Sequence, residues 1–242
     1  MQIKSLKFIL ISLLLLANQS NAVEDDSNDR NKFLDFPFWK KMVGFWESDN
    51  TYFDSKMNYT IRSYSSLIHI QINGAEYLET EHRFYPDGIA SIRYGKGLMQ
   101  AGEGIELITN YYGTLINRNG SMGNTQVDHA GASDGNGVEY KILSDDEAVR
   151  TTKDPKSSID SYRRYTSFIT DSQRLRSTIG FYTSDKDHSP GSVRAYILHK
   201  DHKIKQNDFK QRRKELREKY NVRVISTAHP DIPGASLVER LE

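Results

Sequence analysis

The sequence predicts an all-β fold: an antiparallel up-and-down β-barrel of eight to ten strands with a C-terminal α-helix packed outside. Short runs rich in β-branched and aromatic residues follow one another between residues 46 and 199. Turn signals such as Asn73-Gly74 and Pro86-Asp87-Gly88 separate them. No helix-length pattern lies between the runs, and closing such a sheet into a barrel removes its exposed edges. A β-sandwich and a cone-shaped α+β fold are the alternatives.

The individual strands follow from these runs and their turns. A short helical turn is expected first, at Pro37–Met42, because proline suits the first position of a helix. Residues 117–137 hold five glycines, which predicts a long loop or a weak strand edge within a loop. Gly95 and Gly97 indicate a bend at the end of the fourth strand. The predicted strands are Trp46–Phe53, Tyr59–Ile72, Glu76–Phe84, Ile89–Tyr94, Ile105–Ile116, Val138–Leu143, Ala148–Thr152, Ser161–Ile169, Leu175–Tyr182 and Val193–His199.

The predicted helix occupies Lys205–Tyr220, a segment without glycine or proline. Phe209, Leu216 and Tyr220 form one thin apolar stripe, and Asn207 or Asp208 is the expected cap. The stripe is too narrow for membrane insertion, so we expect the helix to lie on the barrel with its basic face in solvent. The barrel domain is thus assigned to residues 33–200, and the helix and tail to 201–242.

The N-terminal segment has the three parts of a secretory signal peptide. Lys4 and Lys7 flank the start of an apolar run, residues 8–17, and Ser20 and Ala22 occupy the −3 and −1 positions of a small-residue cleavage site. Ten residues, nine of them apolar, span only about 15 Å as a helix, half of a bilayer core. We expect residues 1–22 to be a signal peptide cleaved near Ala22, with an uncleaved anchor as the alternative. The acidic residues 23–32 are then a disordered linker.

Composition narrows the class of protein. The chain of 242 residues has 33 Lys and Arg against 32 Asp and Glu, so its charge gives no reason to expect nucleic-acid binding. The absence of cysteine excludes disulfides, thiolate metal sites and a cysteine nucleophile. Secreted domains of eukaryotes often contain disulfides, so an exported protein without them is more typical of bacteria, where it would lie in the periplasm or outside the cell. The mean hydropathy of −0.66 argues against several membrane spans, and no run after the leader is long enough for one.

The start of the first strand, Gly44-Phe45-Trp46, resembles the Gly-x-Trp signature of the lipocalin and calycin group. The C-terminal helix after the last strand is similar to the lipocalin order. The resemblance implies that Trp46 plugs one end of the barrel, beside Gly44, and that an arginine of a late strand packs across its ring. Arg194 is the arginine expected in that role. Ten strands also suit a barrel similar to fatty-acid-binding proteins or nitrobindin.

Aromatic residues in the strands indicate a ligand cavity. Fourteen Tyr and ten Phe are many for this length, and tyrosine offers an apolar ring with one hydrogen-bonding tip. Mid-strand arginines are expected to hold a carboxylate or another anionic group if they project inward. The simpler alternatives are the ordinary preference of aromatics for strands and solvated arginines outside the barrel. The candidate cavity residues are Tyr59, Tyr77, Tyr94, Tyr111, Tyr112 and Arg93.

Signatures of chemistry are missing. The chain has no Gly-x-Ser-x-Gly, no phosphate loop and no His-Glu-x-x-His, so no cofactor and no metal is predicted. His199 and His202 lie near a strand end and are read as solvated rather than metal-binding. Along the second strand, Ile68, Ile70 and Ile72 alternate with His69, and the isoleucine face is expected to be buried.

These observations favour an exported binding protein that holds a small hydrophobic or amphipathic ligand in the barrel cavity. A cofactor-independent enzyme of the cyclase or isomerase type is the alternative, and a structural surface protein is a third. An enzyme is expected to place a buried carboxylate or histidine beside a tyrosine in the cavity, whereas a carrier need not.

Overall fold

The computed structural model describes residues 32–101, 105–116, 122–125, 138–153, 160–183 and 187–222. Two short helices, α1 (Lys32–Asp35) and α2 (Pro37–Met42), precede the strands, and α3 (Gln206–Lys219) follows them. The strands are β1 (Gly44–Phe53), β2 (Thr60–Asn73), β3 (Glu76–Phe84), β4 (Ala90–Ala101), β5 (Ile105–Ile116), β6 (Met122–Thr125), β7 (Val138–Ile142), β8 (Glu147–Lys153), β9 (Asp160–Thr170), β10 (Gln173–Phe181) and β11 (Val193–Ile204).

These strands form one antiparallel sheet that closes on itself. Its order is β4-β3-β2-β1-β11-β10-β9-β8-β7-β5-β6, with a further pairing of β4 with β5. The first strand pairs with the last, and β5 joins β4 to β7, so ten described strands complete the ring. β6 pairs only with the far end of β5. The prediction of an antiparallel up-and-down β-barrel with a C-terminal helix outside is confirmed.

Two strands continue past their predicted ends, each for a packing reason. β4 continues to Ala101 instead of bending after residue 94, because Gly95 lies opposite Glu79 and Gly97 opposite Tyr77. Because glycine has no side chain, these two positions leave room for the side chains of Glu79 and Tyr77. β11 runs to Ile204 rather than His199, since its last residues pair with the start of β1. β6 lies within the predicted loop, as the weak-strand alternative expected.

One end of the barrel interior is apolar and closed. Side chains alternate along each strand, and the register places Ile68 beside Trp46, with Ile70 and Ile72 following on the same inward face. All three isoleucines are buried, as the alternation predicted. Helix α2, at the predicted residues, adds Phe38 and Trp39 to the same core, both fully buried. Burial of each such side chain contributes about 1.5–3 kcal/mol.

The helix α3 covers part of the barrel's outer face. Phe209 and Leu216, two members of the predicted stripe, are buried against Leu67 and Phe84 of the outward-facing registers of β2 and β3. The expected cap is wrong: the helix is preceded by Lys205, without a side-chain capping bond. Among the described helices, none has the length and apolar content needed to cross a membrane.

Candidate functional site

Trp46 lies inside the barrel at its closed end. Its side chain is fully buried, and the indole Nε1 donates to the Met42 carbonyl oxygen at 3.0 Å. The guanidinium over its ring belongs to Arg174 of β10, with Cζ 4.1 Å from the ring centroid. The predicted partner, Arg194, is wrong. Trp46 pairs with Lys203, nine positions further along β11 than Arg194, and nine strand residues span about 30 Å.

Gly44 begins β1 in a conformation and at a close approach that both oppose a side chain. Its φ is +122°, a conformation that residues with a Cβ rarely adopt. A Cβ at this position would also lie 3.1 Å from Cε of Lys203. The Lys203 ammonium in turn donates to the Lys41 carbonyl and lies 5.0 Å from the Trp46 ring. Gly44 therefore allows β1 to begin close to the Trp46 indole that closes this end of the barrel.

A buried ion cluster lies next to Trp46. Asp201 accepts from Nε of Arg174 at 2.6 Å and from Nη2 of Arg176 at 3.1 Å. Burial alone would raise the pKa of Asp201, but Arg176 and Arg174 outweigh it and hold that pKa below its ordinary value. The carboxylate is therefore ionised, and it compensates two arginines that have almost no contact with solvent.

His199 is buried as a neutral ring. Its Nδ1 lies 2.5 Å from Oδ1 of Asn50 and its Nε2 lies 3.0 Å from Oγ1 of Thr178. Burial lowers the pKa of His199, and nearby arginines lower it further. Because Asn50 Oδ1 is an acceptor, Nδ1 carries the proton and Nε2 accepts from Thr178. His202 pairs with Glu47 on the outer face, so the two histidines do not converge. No candidate metal cluster of three ligands occurs among the described residues.

Two further carboxylates point inward from β3. Glu79 Oε2 accepts from the hydroxyl of Tyr77 at 2.5 Å, and Glu81 Oε2 lies 2.6 Å from Nη2 of Arg83. Burial would raise the pKa of both glutamates. Coulombic attraction to arginines, with Arg150 the largest for Glu79, lowers both instead. The Tyr77–Glu79 pair is the buried carboxylate beside a tyrosine that the enzyme alternative expected.

The inward-facing charges do not balance. On the strands, three carboxylates whose side chains are described lie at inward registers, Glu79, Glu81 and Asp201. Besides Arg62, which pairs with Asp87, six described arginines share that interior: Arg83, Arg93, Arg150, Arg164, Arg174 and Arg176. The mutual repulsion is visible at Arg164, whose pKa is lowered by burial, by Arg176 and by Arg150. Among the described inward side chains, positive charge is therefore in excess.

Arg164 has a hydroxyl rather than a carboxylate as its hydrogen-bond partner among the described residues. Its Nε donates to Oγ1 of Thr178 at 3.0 Å. Within the described part of the chain, it forms no ion pair with a carboxylate. Arg164 and its neighbour Tyr162 both retain some solvent exposure, whereas Arg150 is almost fully buried. Tyr162 lies six residues from the buried Phe168 along β9, or about 20 Å from the closed end. These inward side chains thus lie toward the other end of the barrel.

The predicted cavity residues fall into three groups. Tyr77 and Arg93 both line the interior, and Nη1 of Arg93 lies 3.9 Å from Oε2 of Glu81. Tyr59 lies in the turn before β2 and is 63% exposed, so its placement in an enclosed cavity is wrong. The backbones of three tyrosines belong to β4 and β5, and their side chains lie outside the described part of the chain: Tyr94, Tyr111 and Tyr112.

Sequence reasoning missed most of the arginine cluster. Arg174 and Arg176 stand two apart on one strand, which is the signal that both share a face. Arg150 and Arg164 pair in register on neighbouring strands, which the sequence of either strand alone does not reveal. The solvated outer-face alternative was therefore wrong for Arg93 and Arg164.

Comparisons with known proteins do not assign this chain to a family. No protein-family model and no curated protein matches it. One solved structure it is similar to is an S-type phycobiliprotein lyase, CPES from Guillardia theta, at 14% identity and a TM-score of 0.40, covering 69% of this chain and 91% of that one. Another is a DUF3598-family protein of unknown function from Nostoc punctiforme, at 10% identity and a TM-score of 0.18, covering 70% and 98%. With likenesses this distant, the function of the chain has to be argued from its own residues.

Proposed function

We propose that this protein is an exported binding protein whose barrel interior holds a small amphipathic anion. The observation that carries the proposal is the excess of arginines over carboxylates among the described inward side chains. The ligand's anionic group lies against Arg164 and Arg93, toward the end of the barrel opposite Trp46. Its apolar part packs among the aromatic side chains that share the interior.

The physical reason is that the inward arginines repel one another when no ligand is bound. Like charges repel strongly in a partly desolvated interior, where the effective dielectric is far below that of water. A guanidinium presents a planar fork of donors that matches a carboxylate or a phosphate. An anion bound at Arg164 offsets the repulsion from Arg150 and Arg176 that lowers the pKa of this arginine. A barrel with a purely structural role gains nothing from such an excess, since apolar side chains would fill it at lower cost.

Aromatic side chains supply the apolar contact. Tyr162 lies at an inward register with Arg150 and Arg164 close to its ring, at 5.6 and 6.0 Å. Tyr140 is buried on β7, and Arg150 lies 5.7 Å from its ring as well. Alternating guanidinium groups and aromatic rings suit a molecule with a flat or flexible apolar body and an anionic end.

Export rests on the leader at residues 1–22. Expression of the full chain in a bacterium with a signal peptidase is expected to yield a periplasmic protein that begins at Val23. Edman sequencing of the purified protein tests this. Retention of Met1 in a cytoplasmic product would contradict it.

Ligand binding is tested with dodecanoate, an amphipathic anion, against dodecanol, its uncharged counterpart, by isothermal titration calorimetry. We expect dodecanoate to bind at least tenfold more tightly. Arg164→Met is expected to weaken dodecanoate binding at least tenfold without lowering the stability of the fold, because it removes repulsion.

The matched control is Arg163→Met, one residue away on the exposed face of the same strand. It is expected to bind dodecanoate as the unmodified protein does. Equal affinity for acid and alcohol would overturn the proposal, as would unchanged dodecanoate affinity in Arg164→Met.

A further inference from the structure

We propose that the outer face of strands β8–β11 is the surface through which two copies of this chain form a twofold-symmetric dimer. Four large apolar side chains of this face are 37–60% exposed: Tyr165, Ile169, Leu175 and Leu198. Helix α3 packs instead on the outer face of β1, β2 and β3. The inference is independent of the proposed ligand, because it concerns the outside of the barrel.

The strand registers bring these apolar side chains into one patch. Leu198 lies opposite Ser177, and Ser177 lies opposite Tyr165, so one row crosses β11, β10 and β9. Leu175 stands two residues before Ser177 on β10 and therefore lies on the same face. Ile169 lies at the bulge where β9 pairs with the start of β10. Contiguous apolar patches on a protein surface mark interaction sites, whereas scattered apolar residues need no explanation.

The neighbouring row of this face carries opposite charges on its outer strands. From β11 to β8 it consists of Lys200, Leu175, Ser167 and Glu147. Lys200 and Glu147 are thus three strands apart, or about 14 Å, which is too far for an ion pair within one copy. Within the described part of the chain, no ion pair joins Lys200 to Asp49, its neighbour on β1. The row therefore offers a cation on one side of the patch and an anion on the other.

A twofold axis parallel to the strands, above the boundary between β9 and β10, brings these charges together. Such an axis places β11 of one copy over β8 of the other, so that Lys200 of each copy faces Glu147 of the second copy. In the next row, Leu198 faces Val149, which lies opposite Tyr165 within its own copy. Each contact occurs twice, because a twofold interface uses the same patch on both copies. This charge complementarity of the face with itself favours a second copy as its occupant.

Sedimentation equilibrium of the purified protein from about 1 to 100 μM measures the association. We expect a monomer–dimer equilibrium within this range. Leu198→Asp places a charge in the apolar row and should raise the dissociation constant of the dimer by at least about tenfold. The matched control is Leu98→Asp, because Leu98 is also exposed on the outer face, at 54%, but lies on β4. It should leave the association unchanged, and circular dichroism shows whether both variants keep the fold.

A charge exchange tests the twofold geometry. Lys200→Glu and Glu147→Lys each place like charges opposite one another and should each weaken the dimer by about tenfold. The double variant restores opposite charges across the interface, so it should associate more tightly than either single variant by at least about threefold. Within one copy the two side chains are too far apart to compensate each other.

Three results would overturn the proposal. A monomer at every concentration would leave this face to an occupant other than a second copy. Association that Leu198→Asp leaves unchanged would place the dimer interface elsewhere on the barrel. A double variant no tighter than the single variants would exclude the pairing of Lys200 with Glu147, and with it the twofold arrangement.

Discussion

Asp201 is the carboxylate on which the closed end of the barrel depends. The perturbation is Asp201→Asn, which keeps the shape of the side chain and removes its charge. Two arginines lose their compensation, Arg174 and Arg176, each with its Nε 2.6 Å from Oδ2 of Asp201. Neither arginine can reach water without disturbing the core around Trp46, because both are buried.

The expected magnitude follows from that burial. Removing one partner of a buried ion pair costs about 3–5 kcal/mol, because a charge is left buried and uncompensated. The free energy of unfolding of a domain is about 5–15 kcal/mol, so the substitution removes a large part of it. Equilibrium unfolding in urea, followed by circular dichroism, measures the loss as a lower midpoint at unchanged slope.

The matched control is Asp171→Asn. Asp171 also lies near a cation, 3.4 Å from Nζ of Lys41, but it is 86% exposed, and exposed pairs contribute little. We expect no resolvable change in its unfolding midpoint. If Asp201→Asn were no more destabilising than Asp171→Asn, the structural role assigned to the buried cluster would be refuted.

The same variant has a defined pH dependence. The pKa of Asp201 is lower in the folded protein than in the unfolded chain. The carboxylate therefore contributes its stability fully above its unfolded pKa, about 3.9, and loses it as the pH falls through the folded pKa. The difference in stability between the protein and Asp201→Asn should be constant at neutral pH and narrow below pH about 4.

Three more outcomes are expected. Gly44→Ala should lower the free energy of unfolding by about 1–2 kcal/mol, because the positive φ and the contact with Lys203 both oppose a Cβ. An unchanged midpoint of urea unfolding contradicts this. Burial lowers the pKa of His69 to about 4 and of His82 to about 3. Below pH about 6.5 these histidines take up protons in the unfolded chain before they do so in the folded protein, so the free energy of unfolding falls as the pH decreases below that value. Urea midpoints from pH 7 to 5 measure that loss, which His82→Gln should reduce. Arg212→Gln removes the ion pair with Glu47. Because the Arg212 side chain is 39% exposed, the expected loss of stability is about 0.5–1 kcal/mol. It should be measured as faster amide hydrogen exchange in α3, with exchange in the barrel unchanged.

Local patterns in the sequence were sufficient for much of the fold. Alternation along β2 identified the buried isoleucines, Ile68, Ile70 and Ile72, because side-chain direction in a strand is a property of two neighbouring residues. Pro37 marked the start of α2, and the stripe on α3 gave the face that packs on the barrel. These features depend on spacings within one element.

The candidate site was less accessible to the same reasoning. Arg93 was predicted to line the interior, whereas Tyr59 is exposed in a turn. Arg194 was placed over Trp46 because it lies in the last strand, but the register of β1 with β11 separates the two. Strand registers depend on turn lengths and bulges throughout the ring, and none of these can be measured from one strand.

The sequence by itself determined an antiparallel barrel with an outer helix, a basic and aromatic set of strands, and the identity of the residues on each face of a strand. Only the tertiary structure decided which of those faces line one interior and which charges meet there. Arg150 and Glu79 lie 71 residues apart, yet Arg150 contributes most to lowering the pKa of that glutamate against the effect of burial. Closure of the ring brings such strands across from one another, and it is a collective result of every pairing around the barrel.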